Sequence, residues 1–231
     1  MGASTKTSRF AVGLTAVSFL LVLIAFVSPY WLQHDGLNKA PKFLHLGLWE
    51  VCFNQFQDIN RWYDVRFKGC MWVFEEEYYI IHDFLLTGFF VATQFFFTIC
   101  LTLLLVSLFL TFLFLVTSKD DDRFIILLLT NGAVQVIGAI CGLIAVITFG
   151  ARGDGRDWMP NWEHNNMGWA FALAVLGAMC LFPAGVLFLV EARKIKYKRL
   201  NEIGTRETSA YSMDDRKVRG GGEPSGGHTD I

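Results

Sequence analysis

Charge is missing from this sequence in four long stretches, and that absence classifies the chain more sharply than any residue present. No Asp, Glu, Lys, Arg or His occurs in 10–31, 84–116, 124–149 or 168–190. A soluble domain spreads its apolar residues over helical or strand faces instead of in blocks. Its 231 residues leave too little chain to cover four such blocks as buried core. The same absence argues against a pump or a secondary transporter, whose pathways are marked by ionisable side chains within the spans. A formal net charge of −1 gives no basic excess for nucleic acid. No N-x-[ST] sequence occurs, so no N-linked sugar shields the loops. Also missing are a metal-ligand cluster and a Ser or Cys nucleophile with a base partner. No cofactor and no enzymatic activity are therefore expected, and the scattered His34, His45 and His82 read as surface side chains.

What is present is length without charge. A bilayer core of about 30 Å needs roughly 20 apolar residues, and all four stretches reach that. Membrane helices are expected at about 10–31, 92–117, 124–149 and 168–190. The second stretch would reach about 50 Å as one helix, so 78–90 is expected to form a turn or short helix before the crossing begins. The first run is long for a signal core and is followed by no small-x-small site, so it reads as a retained helix. Lys6 stands where a myristoylation start needs Ser or Thr. Lys6 and Arg9 precede the first helix, and Arg193, Lys194, Lys196, Lys198 and Arg199 follow the fourth. By the positive-inside rule both ends are expected in the cytoplasm. That leaves two external segments, 32–83 and 150–167. From Asn201 the chain is polar and rich in Gly and Ser, so the division is a four-helix domain, 1–200, and a disordered cytoplasmic tail, 201–231.

Within the spans, Gly138 and Gly142 form a G-x-x-x-G, and Ala170, Ala174 and Ala178 form a four-residue ladder. Small side chains allow close helix approach where lipid supplies no hydrophobic drive, so these faces should pack against another helix. Asn131 and Gln135 should make an interhelical hydrogen bond worth about 1 kcal/mol. Pro183 should bend the fourth helix slightly. Cys100, Cys141 and Cys180 lie in helices and read as small apolar residues. Cys52 and Cys70 share the first external segment, and an oxidising exterior predicts a disulfide between them. Around them 46–53, 62–68 and 70–74 alternate as strands do. A small antiparallel sheet pinned by that bond is expected.

Trp31 at the close of the first helix, then Gly47-Leu48-Trp49, then Cys52 and Cys70 resemble the W…GLW…C…C signature of the claudin superfamily. That superfamily includes the peripheral myelin and epithelial membrane proteins and the calcium-channel gamma subunits. The likeness covers the plan from 10 to 190. It implies a left-handed four-helix bundle capped by a sheet built from both external loops, with Trp49 anchoring the sheet near the membrane and Cys52 joined to Cys70. Two departures stand out. The interval between the cysteines is longer than in typical vertebrate claudins, and Glu75-Glu76-Glu77-Tyr78-Tyr79 replaces the basic residue those carry toward helix two. The chain thus resembles a divergent member of septate-junction type.

The resemblance implies a structural protein of lateral cell–cell junctions in the plasma membrane. It would assemble side by side with claudin-like proteins, touch the opposite cell and restrict paracellular diffusion. The alternative is an auxiliary subunit of an ion channel or receptor. In the first loop acidic residues outnumber basic ones. Lining a narrow cleft they would favour cations, although a solvated loop surface is the commoner reason for such charges. The basic run after helix four is suited to anionic lipid. The chain ends His228-Thr229-Asp230-Ile231, and Thr229, Asp230 and Ile231 fit the S/T-x-hydrophobic pattern of a ligand for a cytoplasmic PDZ scaffold.

Overall fold

The computed structural model describes residues 5–37, 40–57, 66–76, 81–118, 123–153, 155, 158–160 and 162–220. Four helices are long and apolar enough to cross a membrane: α1 (Lys6–Val27), α3 (Gly88–Val116), α4 (Arg123–Arg152) and α5 (Trp169–Gly220). A single-turn helix, α2 (His82–Leu85), precedes α3. The overlong second apolar stretch is thus split at Leu86 and Thr87, inside the interval where a turn is expected. The helices close a ring: α3 packs on α4, α4 on α5, α5 on α1, and α1 more lightly on α3.

Several boundaries differ from the sequence reading: α1 and α3 each begin four residues early, at Lys6 and Gly88, and two helix ends differ for reasons that can be named. Helix one does not reach Trp31; it ends at Val27. Pro29 is the cause, because the residue before a proline is driven out of helical geometry, and Ser28 is extended (φ −83°, ψ 135°). The fourth helix, in turn, does not stop near 190 or yield to disorder at Asn201; it continues to Gly220. Residues 201–213 are all exposed, so packing does not hold this extension. Once a span has met the cost of nucleation, each further residue adds a backbone hydrogen bond. The glycine run that suggested disorder begins where this helix ends.

Small residues let the ring close. Gly142 faces Cys100 of α3 and Ala178 of α5, and Gly138 faces Leu103 and Leu181 of the same helices. Ala170, Ala174 and Ala178 are fully buried. A contact not anticipated is Gly132 on Gly185. A Cβ on either would lie 2.9 or 3.0 Å from the other's carbonyl oxygen, so the α4 and α5 backbones meet directly.

At mid-bundle the polar groups form a chain through three helices. Ser107 Oγ donates to Asn131 Oδ1 at 2.8 Å, and Asn131 Nδ2 donates to Thr111 Oγ1 at 2.9 Å. Gln135 Nε2 donates to Ser107 Oγ at 2.7 Å and to Thr15 Oγ1 at 3.0 Å. The result joins α1, α3 and α4. Asn131→Ala should remove two of these bonds and cost about 1–2 kcal/mol, read as a lower thermal midpoint of the chain in micelles.

Five strands form one antiparallel sheet at one end of the ring: β1 (Leu32–His34), β2 (Phe43–Leu46), β3 (Glu50–Phe56), β4 (Phe67–Trp72) and β5 (Asn165–Met167), in the order β4-β3-β2-β1-β5. The segment from α1 to α3, here the first inter-helix segment, supplies four strands, and that from α4 to α5, here the second, supplies β5. The expected strand 46–53 is interrupted, because Gly47, Leu48 and Trp49 form the turn between β2 and β3. Most of the expected strand 62–68 lies outside the described residues, and the third expected strand, 70–74, begins earlier, at Phe67, and ends at Trp72.

Candidate interaction platform at the sheet end

Trp31 stands at the junction of bundle and sheet. Its indole is fully buried and donates from Nε1 to the Ala25 carbonyl at 2.7 Å. Its ring meets Phe97 of α3 and Phe149 of α4 edge-on, each at 5.1 Å, and Phe171 of α5 at 5.9 Å. One side chain from just beyond the end of α1 therefore plugs the space between the other three helices. Its backbone is held as firmly: Trp31 N–H donates to Leu46 O at 2.8 Å, and Gly168 N–H donates to Trp31 O at 2.9 Å.

The Gly47-Leu48-Trp49 turn rests on this junction. Gly47 lies against the Ser28–Pro29 backbone, so close that a Cβ there would come within 2.5 Å of Pro29 Cα and 2.7 Å of Ser28 O. Leu48 is buried, and its carbonyl accepts from Gln94 Nε2 of α3 at 2.6 Å. Trp49 is half-buried beside Phe26 of α1, ring centroids 5.2 Å apart, and its carbonyl accepts from the Val73 N–H at 2.8 Å. Trp49 thus touches the end of α1, but Trp31 is the more central anchor. Gln94 was missed by the sequence reading. The signal available was an amide standing alone in an apolar span, as at Asn131 and Gln135.

The Cys52–Cys70 disulfide joins β3 to β4 where the two residues face each other directly. Next to it, His45 pairs with Cys52 in register and donates from Nδ1 to Pro29 O at 3.1 Å. The His45, Cys52 and Cys70 ligand atoms lie within 4.8 Å of one another. With the two sulfurs bonded together no thiolate remains, so the group is a covalent staple and not a metal centre.

The second inter-helix segment is stitched to the first. β5 pairs with β1 along its length, with His34 opposite Asn165. Trp158 packs on Phe89 and Phe90 of α3 at 4.7 and 5.5 Å, and its Nε1 donates to Phe84 O of α2 at 3.1 Å. At the far end of β1, Asp35 N–H donates to His164 O at 2.8 Å, while the Asp35 carboxylate meets the His164 ring at 3.0 Å. The Leu37 N–H bonded to this carboxylate, helped by the His164 ring, holds Asp35 below the usual carboxylate range. His34 departs from expectation. Read as a surface residue, it has a side chain only 6% exposed.

What remains outward is apolar as well as polar. Trp72 on β4 is 54% exposed, with Phe74 stacked edge-on beside it at 5.2 Å. β4 is the edge of the sheet, and its outer side has no strand partner among the described residues. Below that edge a cavity of about 250 Å³ opens between Val27, Pro29, Trp49, Met71 and Trp72. Of the acidic and basic positions in the first segment, Lys39, Asp58, Arg61, Asp64 and Glu77 lie outside the described residues, as do Thr229, Asp230 and Ile231.

Comparison with known proteins points the same way. A family profile described as PMP-22/EMP/MP20/Claudin tight junction matches residues 16–190. A search of the curated proteins returns no match. The match covers most of the chain, including all five strands, the whole of α3 and α4 and part of α1 and α5, and the chain therefore belongs to the PMP-22/EMP/MP20/claudin family.

Proposed function

We propose that this protein is a structural component of lateral cell–cell junctions, of septate-junction type, that forms or organises a paracellular barrier. The observation that carries the reading is the disulfide-pinned sheet, drawn from both inter-helix segments and locked to the bundle by Trp31 and Gly47. A rigid platform of this kind suits contact with a neighbouring molecule better than a free loop does. The basic flanks at 6–9 and 193–199 support a cytoplasmic position for both termini, with the platform outside. The open edge of β4, with Trp72 and the cavity beneath it, favours side-by-side assembly with claudin-like chains. Across the intercellular gap, the outer face of the sheet would meet the opposite cell. Thr229, Asp230 and Ile231 would tether the assembly to a PDZ scaffold by strand addition.

Expression in an epithelial monolayer tests the proposal. Junctional staining with a rise in transepithelial resistance is the expected result. Deleting 229–231 should leave folding intact and release the protein from the junction. Uniform surface staining with unchanged resistance would overturn the barrier reading, and co-purification with a channel under those conditions would favour an auxiliary subunit.

A further inference from the structure

We propose that the cavity between the start of α3 and the end of α4 holds a phospholipid, its phosphodiester on Arg152 and Thr87 and one acyl chain running down the α3–α4 groove. The cavity measures about 750 Å³, within the roughly 300–1,000 Å³ usual for small-molecule sites. It lies at the sheet end of the bundle, beside the second inter-helix segment. Trp158 forms one wall, and that ring is fixed by Phe89, Phe90 and the Phe84 carbonyl. The site is therefore shaped before any ligand arrives.

Its polar groups gather at one end. Arg152 is exposed, and among the described residues its guanidinium makes no ion pair or hydrogen bond. Thr87 Oγ1 is buried without a hydrogen-bond partner, and Thr87, the N-cap of α3, makes no side-chain capping bond. A buried hydroxyl left unpaired is costly. The oxygens of a phosphodiester can accept from both groups, and the positive end of the α3 dipole lies beside them.

The other end is apolar. Ile147 stands five residues before Arg152 on α4, about 7.5 Å along the axis, and is 67% exposed. Thr148 adds no free donor, since its hydroxyl donates to Ile144 O at 2.7 Å. Beyond the cavity, Ile144 and Ile140 on α4 and Val91 and Phe95 on α3 are exposed too, on helices of membrane-spanning length and hydropathy. The groove therefore leads from a cationic mouth onto the lipid-facing surface. Cation, hydroxyl and then hydrocarbon is the order a phospholipid meets when it lies in its own leaflet. A sterol brings no anion for Arg152, and free phosphate leaves the apolar groove uncovered. A Cβ on Gly88, which also lines the cavity, would meet nothing within 4 Å, so there is room for a chain. The proposal does not depend on the junction reading.

The test uses the full-length, oxidised chain, delipidated in maltoside micelles and titrated with palmitoyl-oleoyl phosphatidylcholine, with bound lipid counted by native mass spectrometry. One saturable lipid per chain is the expected result. Arg152→Gln should weaken it by at least about tenfold. Dioleoylglycerol, which lacks the phosphate, should bind more weakly by a similar factor, and inorganic phosphate should not compete. Gly88→Leu should fill the cavity and abolish the bound lipid, whereas Gly13→Leu, at an equally open position on α1, should leave binding unchanged. Arg152 is exposed, so Arg152→Gln keeps the assay readable if Gly88→Leu does not fold. Absence of a saturable lipid on the wild-type chain would overturn the proposal, as would full affinity in Arg152→Gln or displacement by inorganic phosphate. A dimer that persists in maltoside and is lost in Gly88→Leu would overturn it too, by giving the groove to a second copy of the chain.

Discussion

Gly47→Ala should be among the most damaging single-methyl substitutions in this protein, costing about 2–3 kcal/mol of stability. The added Cβ would meet Pro29 Cα at 2.5 Å and Ser28 O at 2.7 Å, and both are backbone atoms. A flexible side chain could swing aside, but this backbone cannot. The Ser28–Pro29 link is held between the end of α1 and Trp31, whose ring is wedged against three helices. Relief would have to come from lifting the Gly47-Leu48-Trp49 turn, and that would break the Gln94–Leu48 hydrogen bond and withdraw Trp49 from Phe26. Gly13→Ala is the matched control, since a Cβ at that position meets nothing within 4 Å. Thermal unfolding in micelles should show a clear fall in midpoint for Gly47→Ala and none for Gly13→Ala. Equal midpoints would mean that the turn does not bear on α1 as closely as the structure places it.

Cys52→Ser should cost about as much, and by a different route. Closing a loop of this size restricts the unfolded chain and contributes about 3 kcal/mol, and the substitution returns that entropy to the unfolded state. It also frees Cys70, which lies exposed on the edge strand β4, for mixed disulfides in the secretory pathway. Surface biotinylation should find most of the variant retained inside the cell. Cys52→Ser combined with Cys70→Ser removes the reactive thiol while leaving the loop open. It should recover part of the surface fraction without recovering the thermal midpoint. Normal delivery of the single variant would show that the staple is dispensable.

The parts legible in the sequence are those whose cause is local or compositional. Charge-free runs of membrane length declare the four spans, and the two cysteines of one loop declare the disulfide. The misreadings share a different origin. The apolar run of helix one continues through Tyr30 and Trp31, so hydropathy alone extends it, while Pro29 stops the helix. Alternation from 46 to 53 looks like one strand because the turn at 47–49 is itself apolar; Gly47 and Leu48 are buried and Trp49 half-buried against the helix ends, and no polar turn residue announces it. The tail beyond 200 reads as disordered by composition, and helix propagation from a membrane span carries it to Gly220. His34 looked like a scattered surface residue because its partner, His164, lies in another loop.

The sequence by itself determined that the chain crosses a membrane four times and carries a cysteine-stapled loop. Both follow from solvation and redox chemistry, which act on a segment whatever its neighbours are. Only the tertiary structure decided that Trp31 plugs the bundle and that Gly47 must lack a side chain. Gln94 reaching Leu48, and His34 and Asp35 meeting His164 across two loops, were decided there too. These depend on distances between segments far apart along the chain. Such distances are set by which helix faces and strands pack together, and pattern within a segment does not encode them.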